Sequence, residues 1–333
     1  MNKWFDEECK EMRKRLKNSL GTSEERQLRA IYRSLLRKKR RDFIWTQQKK
    51  LADLFLKKPK AFWQAIKPKT SSITGYIEDS KWDDYLQHLY HKGNKEESRN
   101  RSEIQYCFRF TQENVTWGIK KLAGGKASDT LGWMAECLKW AGEPIIPFLV
   151  FMFNAAQEEG FPKTWQENLV VPIYKARDPD IPNNYRTIMV SSLMAKLYSI
   201  ILEREISVWA EQHEVRAISQ AGFRSQHSTL DHLLTLRALI EQNKDLKRTT
   251  FCCFVDFEKA FDTVPRDLLW QRLFEVGIPR PLIHATRELY GQVVGIMKAS
   301  SHEVSRVVCD IGVKQGCPSS PTLFGLYIDK LEQ

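Results

Sequence analysis

The sequence predicts an α+β fold preceded by a basic helical extension. Three observations carry this. Apolar residues recur at helical spacing over most of the chain, two short runs are rich in β-branched and aromatic residues, and the excess positive charge sits at one end. The chain has 333 residues, 52 Lys+Arg, 41 Asp+Glu and a formal charge of +11. Residues 1–70 hold 21 basic and 8 acidic side chains, so that segment alone carries the surplus. A segregated basic charge points to a polyanionic partner, most often nucleic acid. Hydrophobic residues make up 42%, enough for a real core. The longest apolar stretch, Ile145 to Ala156, contains Pro147 and Asn154. It falls short of the about 20 residues that span a bilayer. No apolar signal core follows Met1, so a membrane or secreted protein is not expected.

The elements follow in order. Ser23 to Lys58 lacks Pro and Gly, with Ser23 as a candidate N-cap, Pro59 as the stop and Arg37-Lys38-Lys39-Arg40-Arg41 in its middle. A short helix is expected at 61–66, then a linker at 68–80 and a polar loop at 92–102. Helices are expected at 111–122, 134–140 and 143–159, and a strand at 169–175. Two amphipathic helices follow, at 192–212 and 228–243. The run Thr249 to Phe257 reads as a buried strand that ends in a carboxylate. Proline starts helices at 265–276 and 279–290. Two strands are expected within 291–313, and a helix over 318–331.

Seven cysteines with no Cys-x-x-Cys pair argue against zinc and for a reducing compartment, nucleus or cytosol. Gly124-Gly125-Lys126-Ala127 does not complete a phosphate-binding loop, because Lys120 and Ala127 stand where Gly and Ser or Thr are needed. Asp256 is the residue that asks for an explanation. A carboxylate at a buried strand end is costly unless it is paired, hydrogen-bonded or metal-bound.

Its surroundings supply one. Asp256-Phe257-Glu258-Lys259-Ala260-Phe261-Asp262-Thr263-Val264-Pro265 resembles motif A of reverse transcriptases from non-LTR (LINE-type) retrotransposons. Further matches occur in the family's order: Val171 to Lys175 with Asn184-Tyr185-Arg186, then Gln220 to Arg224, then Gly312 to Pro321 as motif B. Phe62-Trp63 and Trp82 to Tyr85 match weakly before them. The resemblance implies a partial right-hand polymerase, with fingers over 111–248 and an incomplete palm over 249–333. These follow the basic extension (1–70) and a segment of linker and short helices (71–110). It implies that Asp256 binds Mg²⁺, that Lys175 and Arg186 hold the incoming triphosphate, and that Phe261 gates the sugar. It further implies that Arg224 touches template and that Gln315 and Gly316 shape the nucleotide pocket. The implied partners are an RNA template, an RNA/DNA hybrid and deoxynucleoside triphosphates.

The chain also departs from the pattern. Thr187 stands where the family usually has Pro, which is expected to loosen the backbone beside Arg186. Asp262 is expected to cap the helix at Pro265, and Asp329 to lie on a polar helix face. Motif C, an aromatic-x-Asp-Asp, does not occur before Gln333. One Asp cannot hold two Mg²⁺ ions. A fragment without polymerase activity of its own is therefore expected. The alternative is a non-catalytic nucleic-acid-binding protein that keeps the scaffold.

Overall fold

The computed structural model describes residues 5–19, 24–58, 77–91, 108–126, 128–129, 131–299 and 302–329. The expected cap at Ser23, the helix around Trp63, the loop at 92–102 and most of the 68–80 linker lie outside these residues. The chain divides into two compact units, residues 1–73 and 74–333.

The first unit holds α1 (Glu7–Asn18) and α2 (Glu25–Lys57). Asp6 caps α1 by accepting from the Cys9 N–H, and Glu7 and Glu8 fill the first turn, where the helix dipole favours negative charge. α2 runs 33 residues and matches the expected bounds closely. Of its basic run, Lys39 is paired to Asp6 and Glu8 at 2.7 and 2.5 Å.

The second unit mixes helices with a four-stranded sheet whose strands lie side by side in the order Tyr185–Ser191, Glu167–Tyr174, Val294–Ala299, His302–Val308. α3 (Asp79–Tyr90) buries Trp82, Leu86, Leu89 and Tyr90, one stripe at helical spacing. Thr111 caps α4 (Gln112–Lys121) in a capping box with Asn114. Then come α5 (Ala135–Ala141), α6 (Ile146–Glu159) and the single turn α7 (Lys163–Gln166). β1 (Glu167–Tyr174) pairs antiparallel with β2 (Tyr185–Ser191) along its length, and parallel with β3 (Val294–Ala299) over Glu167–Leu169 only. Pro172 lies beyond that parallel ladder, where its missing N–H breaks no bond to β3. β3 pairs antiparallel with β4 (His302–Val308).

The core forms where α8 (Leu193–Gln212) meets α4 and the aromatic cluster Phe110, Phe153, Phe161, Trp165 and Tyr198. A Cβ at Gly118 would sit 2.8 Å from Leu197 Cδ1, so glycine permits the close approach of α4 and α8. After α8 come α9 (Thr229–Asp245), α10 (Arg266–Glu275), α11 (Arg280–Tyr290) and α12 (Ser320–Ile328). No described helix is long and apolar enough to cross a membrane.

One expected element is absent. Residues 249–257 are not a strand, and Phe251, Phe254 and Val255 are 91, 85 and 75% exposed. An apolar run becomes a strand only when a neighbour completes its hydrogen bonds. Among the described residues no strand pairs with it. The buried Asp256 of the sequence reading is therefore exposed.

Candidate nucleotide site

The site residues gather on β2 and its surroundings. β1 and β2 present alternate faces. Ile173 and Arg186 pair on the exposed face, Pro172 and Thr187 on the inner one. Lys175 follows β1 directly, its N–H donating to Asn184 O at 2.9 Å. Both Lys175 and Arg186 are exposed to solvent.

β2 ends the sheet, and its outer edge is taken by the motif B turn. Met189 N–H donates to Gln315 O at 2.7 Å. Gly316 has φ +111, and a Cβ there would lie 3.0 Å from Met189 O. Only glycine lets this turn lie so close to β2. Gln315 Oε1 is buried with no hydrogen-bond partner among the described residues.

Motif A joins motif B through the backbone. Gly312 N–H donates to Val264 O and Val313 N–H to Phe261 O, each at 2.8 Å. Gly312 has φ +81, and a Cβ would stand 2.6 Å from Asp262 O. The half-buried Arg266 reinforces the joint, donating to Gly312 O at 2.9 Å and Tyr290 O at 3.1 Å. Phe261 stacks on Phe324 with centroids 4.9 Å apart and meets Phe223 edge-on at 6.0 Å.

Asp262 is the buried carboxylate here, 6% exposed. It accepts from the Tyr90 hydroxyl at 3.0 Å, and the same Tyr90 oxygen lies 2.6 Å from Thr187 Oγ1. With the tyrosine proton on Asp262, the threonine hydroxyl is the donor of the second bond. Burial pushes the Asp262 carboxyl above its ordinary range, against the Tyr90 bond and the charges of Lys259 and Lys175. Asp262 therefore does not cap the next helix, whose start at Pro265 has no side-chain cap. Thr187 does not loosen its strand either, because it is 2% exposed and hydrogen-bonded.

Arg224 has internal partners that the sequence reading did not name, and Asp329 sits differently from that reading. Arg224 directs Nε and Nη2 to the two Glu211 oxygens at 3.2 and 2.8 Å, and Nη1 to Ala217 O and Gln220 O at 2.9 and 3.2 Å. Burial alone would raise the Glu211 carboxyl, but the Arg224 bond and the Arg216 and Arg224 charges hold it below its ordinary value. Arg224 thus braces the loop at 217–224. Asp329 is buried rather than on a polar face, and both its oxygens accept from the Ala217 N–H, at 2.9 and 3.1 Å.

Asp256 stands apart from these groups in the exposed segment. Among the described residues no three His, Cys, Asp or Glu side chains gather as metal ligands. The described residues do not by themselves fit a two-metal site.

In the first unit, Arg37, Arg40, Arg41, Ile44, Trp45 and Gln48 line a shallow concavity of about 330 Å³. These positions fall on one helical stripe. Trp45 is 63% exposed and Lys38 is also exposed. Sequence reasoning missed Trp45, although its spacing from Arg37 and Arg41 was visible.

Residues 173–333 match the family model described as reverse transcriptase (RNA-dependent DNA polymerase). The chain is 27% identical to a probable RNA-directed DNA polymerase from transposon BS of Drosophila melanogaster, over 65% of this chain and 24% of that protein. It is 28% identical to a retrovirus-related Pol polyprotein from type-1 retrotransposable element R2 of Popillia japonica, over 51% of this chain and 24% of that protein. A third relative is the RNA-directed DNA polymerase from mobile element jockey of Drosophila melanogaster, 27% identical over 55% of this chain and 20% of that protein. The chain thus spans about a quarter or less of the length of these relatives.

Proposed function

With residues 173–333 belonging to the reverse-transcriptase family, of the non-LTR retrotransposon kind, we propose that this chain supplies the nucleotide-holding half of an RNA-directed DNA polymerase. In this reading residues 111–248 are fingers and 249–333 part of the palm. The observation that carries it is the convergence on β2. Arg186 lies on that strand, Gln315 and Gly316 lie against its edge, and the Phe261 turn is tied to both.

The chemistry follows from the residue types. Arg186 offers a forked donor to the oxygens of a deoxynucleoside triphosphate, and Lys175 a point charge beside it. Phe261, which contacts both Phe223 and Phe324, is assigned to the sugar, where its ring would exclude a 2′-hydroxyl. Gln315 and Gly316 admit the base and its template partner closely, the glycine by having no side chain. Reverse transcriptases use divalent metal ions to offset charge on the transferred phosphoryl group. Asp256 is the residue of this chain assigned to Mg²⁺.

The basic stripe on α2 is assigned to RNA of the template or hybrid. Arg37, Arg40 and Arg41 would neutralise phosphates and Trp45 would stack on a base. The test is equilibrium binding of a deoxynucleoside triphosphate to the 333-residue chain. Arg186→Ala is expected to weaken it about tenfold, since one charge-assisted bond is worth about 1.5–3 kcal/mol. Equal binding by the wild type and this variant would remove the assignment.

A further inference from the structure

The matched family region begins at residue 173, whereas α3 lies well before it. Yet two tyrosines of α3 reach the turn that carries Phe261. We infer that α3 is a clamp on this turn, with Tyr90 and Tyr85 as positioning residues for discrimination between deoxy- and ribonucleotides. The inference rests on the proposed reading of Phe261 as the group beside the sugar.

The turn itself is short and strained. Asp262 N–H and Thr263 N–H both donate to Lys259 O, at 2.8 and 3.1 Å, and Lys259 has φ +52. A lysine in the left-handed region persists only where its surroundings hold it there. The preceding chain cannot do so, because residues 251–258 are exposed and no strand pairs with them among the described residues. Ala260 and Thr263 of the turn border an open groove of about 560 Å³, so packing is incomplete there too.

α3 grips both ends. At one end the Lys259 ammonium lies over the Tyr85 ring, 5.0 Å from its centroid. At the other, Tyr90 donates to Asp262 in a buried setting. Phe261 lies between these grips. The same Tyr90 oxygen is bonded to Thr187, the neighbour of Arg186. One oxygen therefore sets the spacing between the strand assigned to phosphate and the turn assigned to sugar.

The clamp is rigidly mounted. Tyr90 O accepts from Asp310 N–H at 3.2 Å, and Gln87 Nε2 donates to Arg306 O at 3.2 Å. Trp82 is buried edge-on against Tyr185, with centroids 5.3 Å apart. A displaced Tyr90 would thus be a local change in an otherwise fixed helix.

The experiment measures the affinities of dGTP and GTP by equilibrium dialysis against the 333-residue chain, with template–primer and Mg²⁺. Amide hydrogen exchange of residues 259–263 is followed in parallel. Tyr90→Phe keeps the ring and removes only the bridging hydroxyl. It is expected to reduce the dGTP-over-GTP preference by about threefold or more and to speed exchange of the Asp262 and Thr263 amides. Thr187→Val, which removes one partner of the same oxygen, is expected to act in the same direction and guards against a Tyr90 variant that does not fold. An unchanged preference in both variants would overturn the clamp and leave the Phe261 reading intact. Faster exchange with an unchanged preference would also overturn it, since the tyrosine would then be merely structural. A wild-type chain that binds neither nucleotide, or both equally, would overturn the Phe261 reading and the clamp together.

Discussion

Replacing Gly312 with alanine tests the joint between the two motifs that frame the site. Two costs are readable at this position. The first is backbone strain, because φ is +81 and an L-residue in the left-handed region costs about 1–2 kcal/mol. The second is overlap. The new Cβ would stand 2.6 Å from Asp262 O, 2.8 Å from its carbon and 2.9 Å from Phe261 O. All three are backbone atoms, so no flexible side chain can swing aside. Overpacking of this kind costs about 1–3 kcal/mol. Together Gly312→Ala is expected to destabilise the chain by about 2–5 kcal/mol. Gly125 supplies the control. Its φ is +66, and a Cβ there meets nothing within 4 Å, so Gly125→Ala carries the strain alone. The entropy that alanine removes from the unfolded chain is common to both variants and cancels in their difference. Urea denaturation followed by circular dichroism gives the comparison. Gly312→Ala should be the more costly by about 1–3 kcal/mol. A difference under about 0.5 kcal/mol would refute the close approach of the two turns.

The Asp262 carboxyl is raised by burial, in the company of Tyr90, Lys259 and Lys175, so the folded state resists its ionisation. Its effect on stability is therefore most favourable below the ordinary carboxylate pKa of about 3.9 and is lost as pH rises through the raised value. Asp262→Asn abolishes that loss, so the stability of this variant relative to wild type should improve from pH 4 to pH 7; a relative decline over that interval would contradict the assignment. On α2, Arg40 is exposed whereas Lys39 is paired to Asp6 and Glu8. Arg40→Gln should lower the salt slope of single-stranded RNA binding by about 0.7, and Trp45→Ala should cost about 1–3 kcal/mol at any salt. An equal change of slope in Lys39→Gln would show that the stripe is not the contact surface.

Much of the helical framework was legible because the signals are local. Helices were expected to begin at 111 and 228, and there Thr111 and Ser228 each form a capping box with the residue three positions on. β1 was legible from its apolar run, but β2 was read as a motif and not as a strand. Short helices were expected within 71–110, but the bounds of α3 were not read, although Trp82, Leu86, Leu89 and Tyr90 lie at helical spacing. The run 249–257 shows the limit from the other side. Its composition suits a buried strand, but strand formation depends on a neighbour remote in sequence. The fates of polar residues were the least legible. Asp262, Thr187 and Arg224 take partners 172, 97 and 13 positions away, Tyr90 for the first two and Glu211 for the third. No local pattern encodes such contacts. Gly312 and Gly316 were visible as glycines, but which backbone atoms they approach was not.

In the proposed reading, three separated sequence motifs make one nucleotide site around β2. The most direct measurement is photo-crosslinking of a deoxynucleoside triphosphate carrying a reactive base, with the attachment points mapped by mass spectrometry on the 333-residue chain. Attachment is expected on peptides that contain Lys175, Arg186, Phe261 or Gln315, competed by unlabelled dGTP. Attachment confined to residues 1–58, or spread evenly and uncompeted, would contradict it.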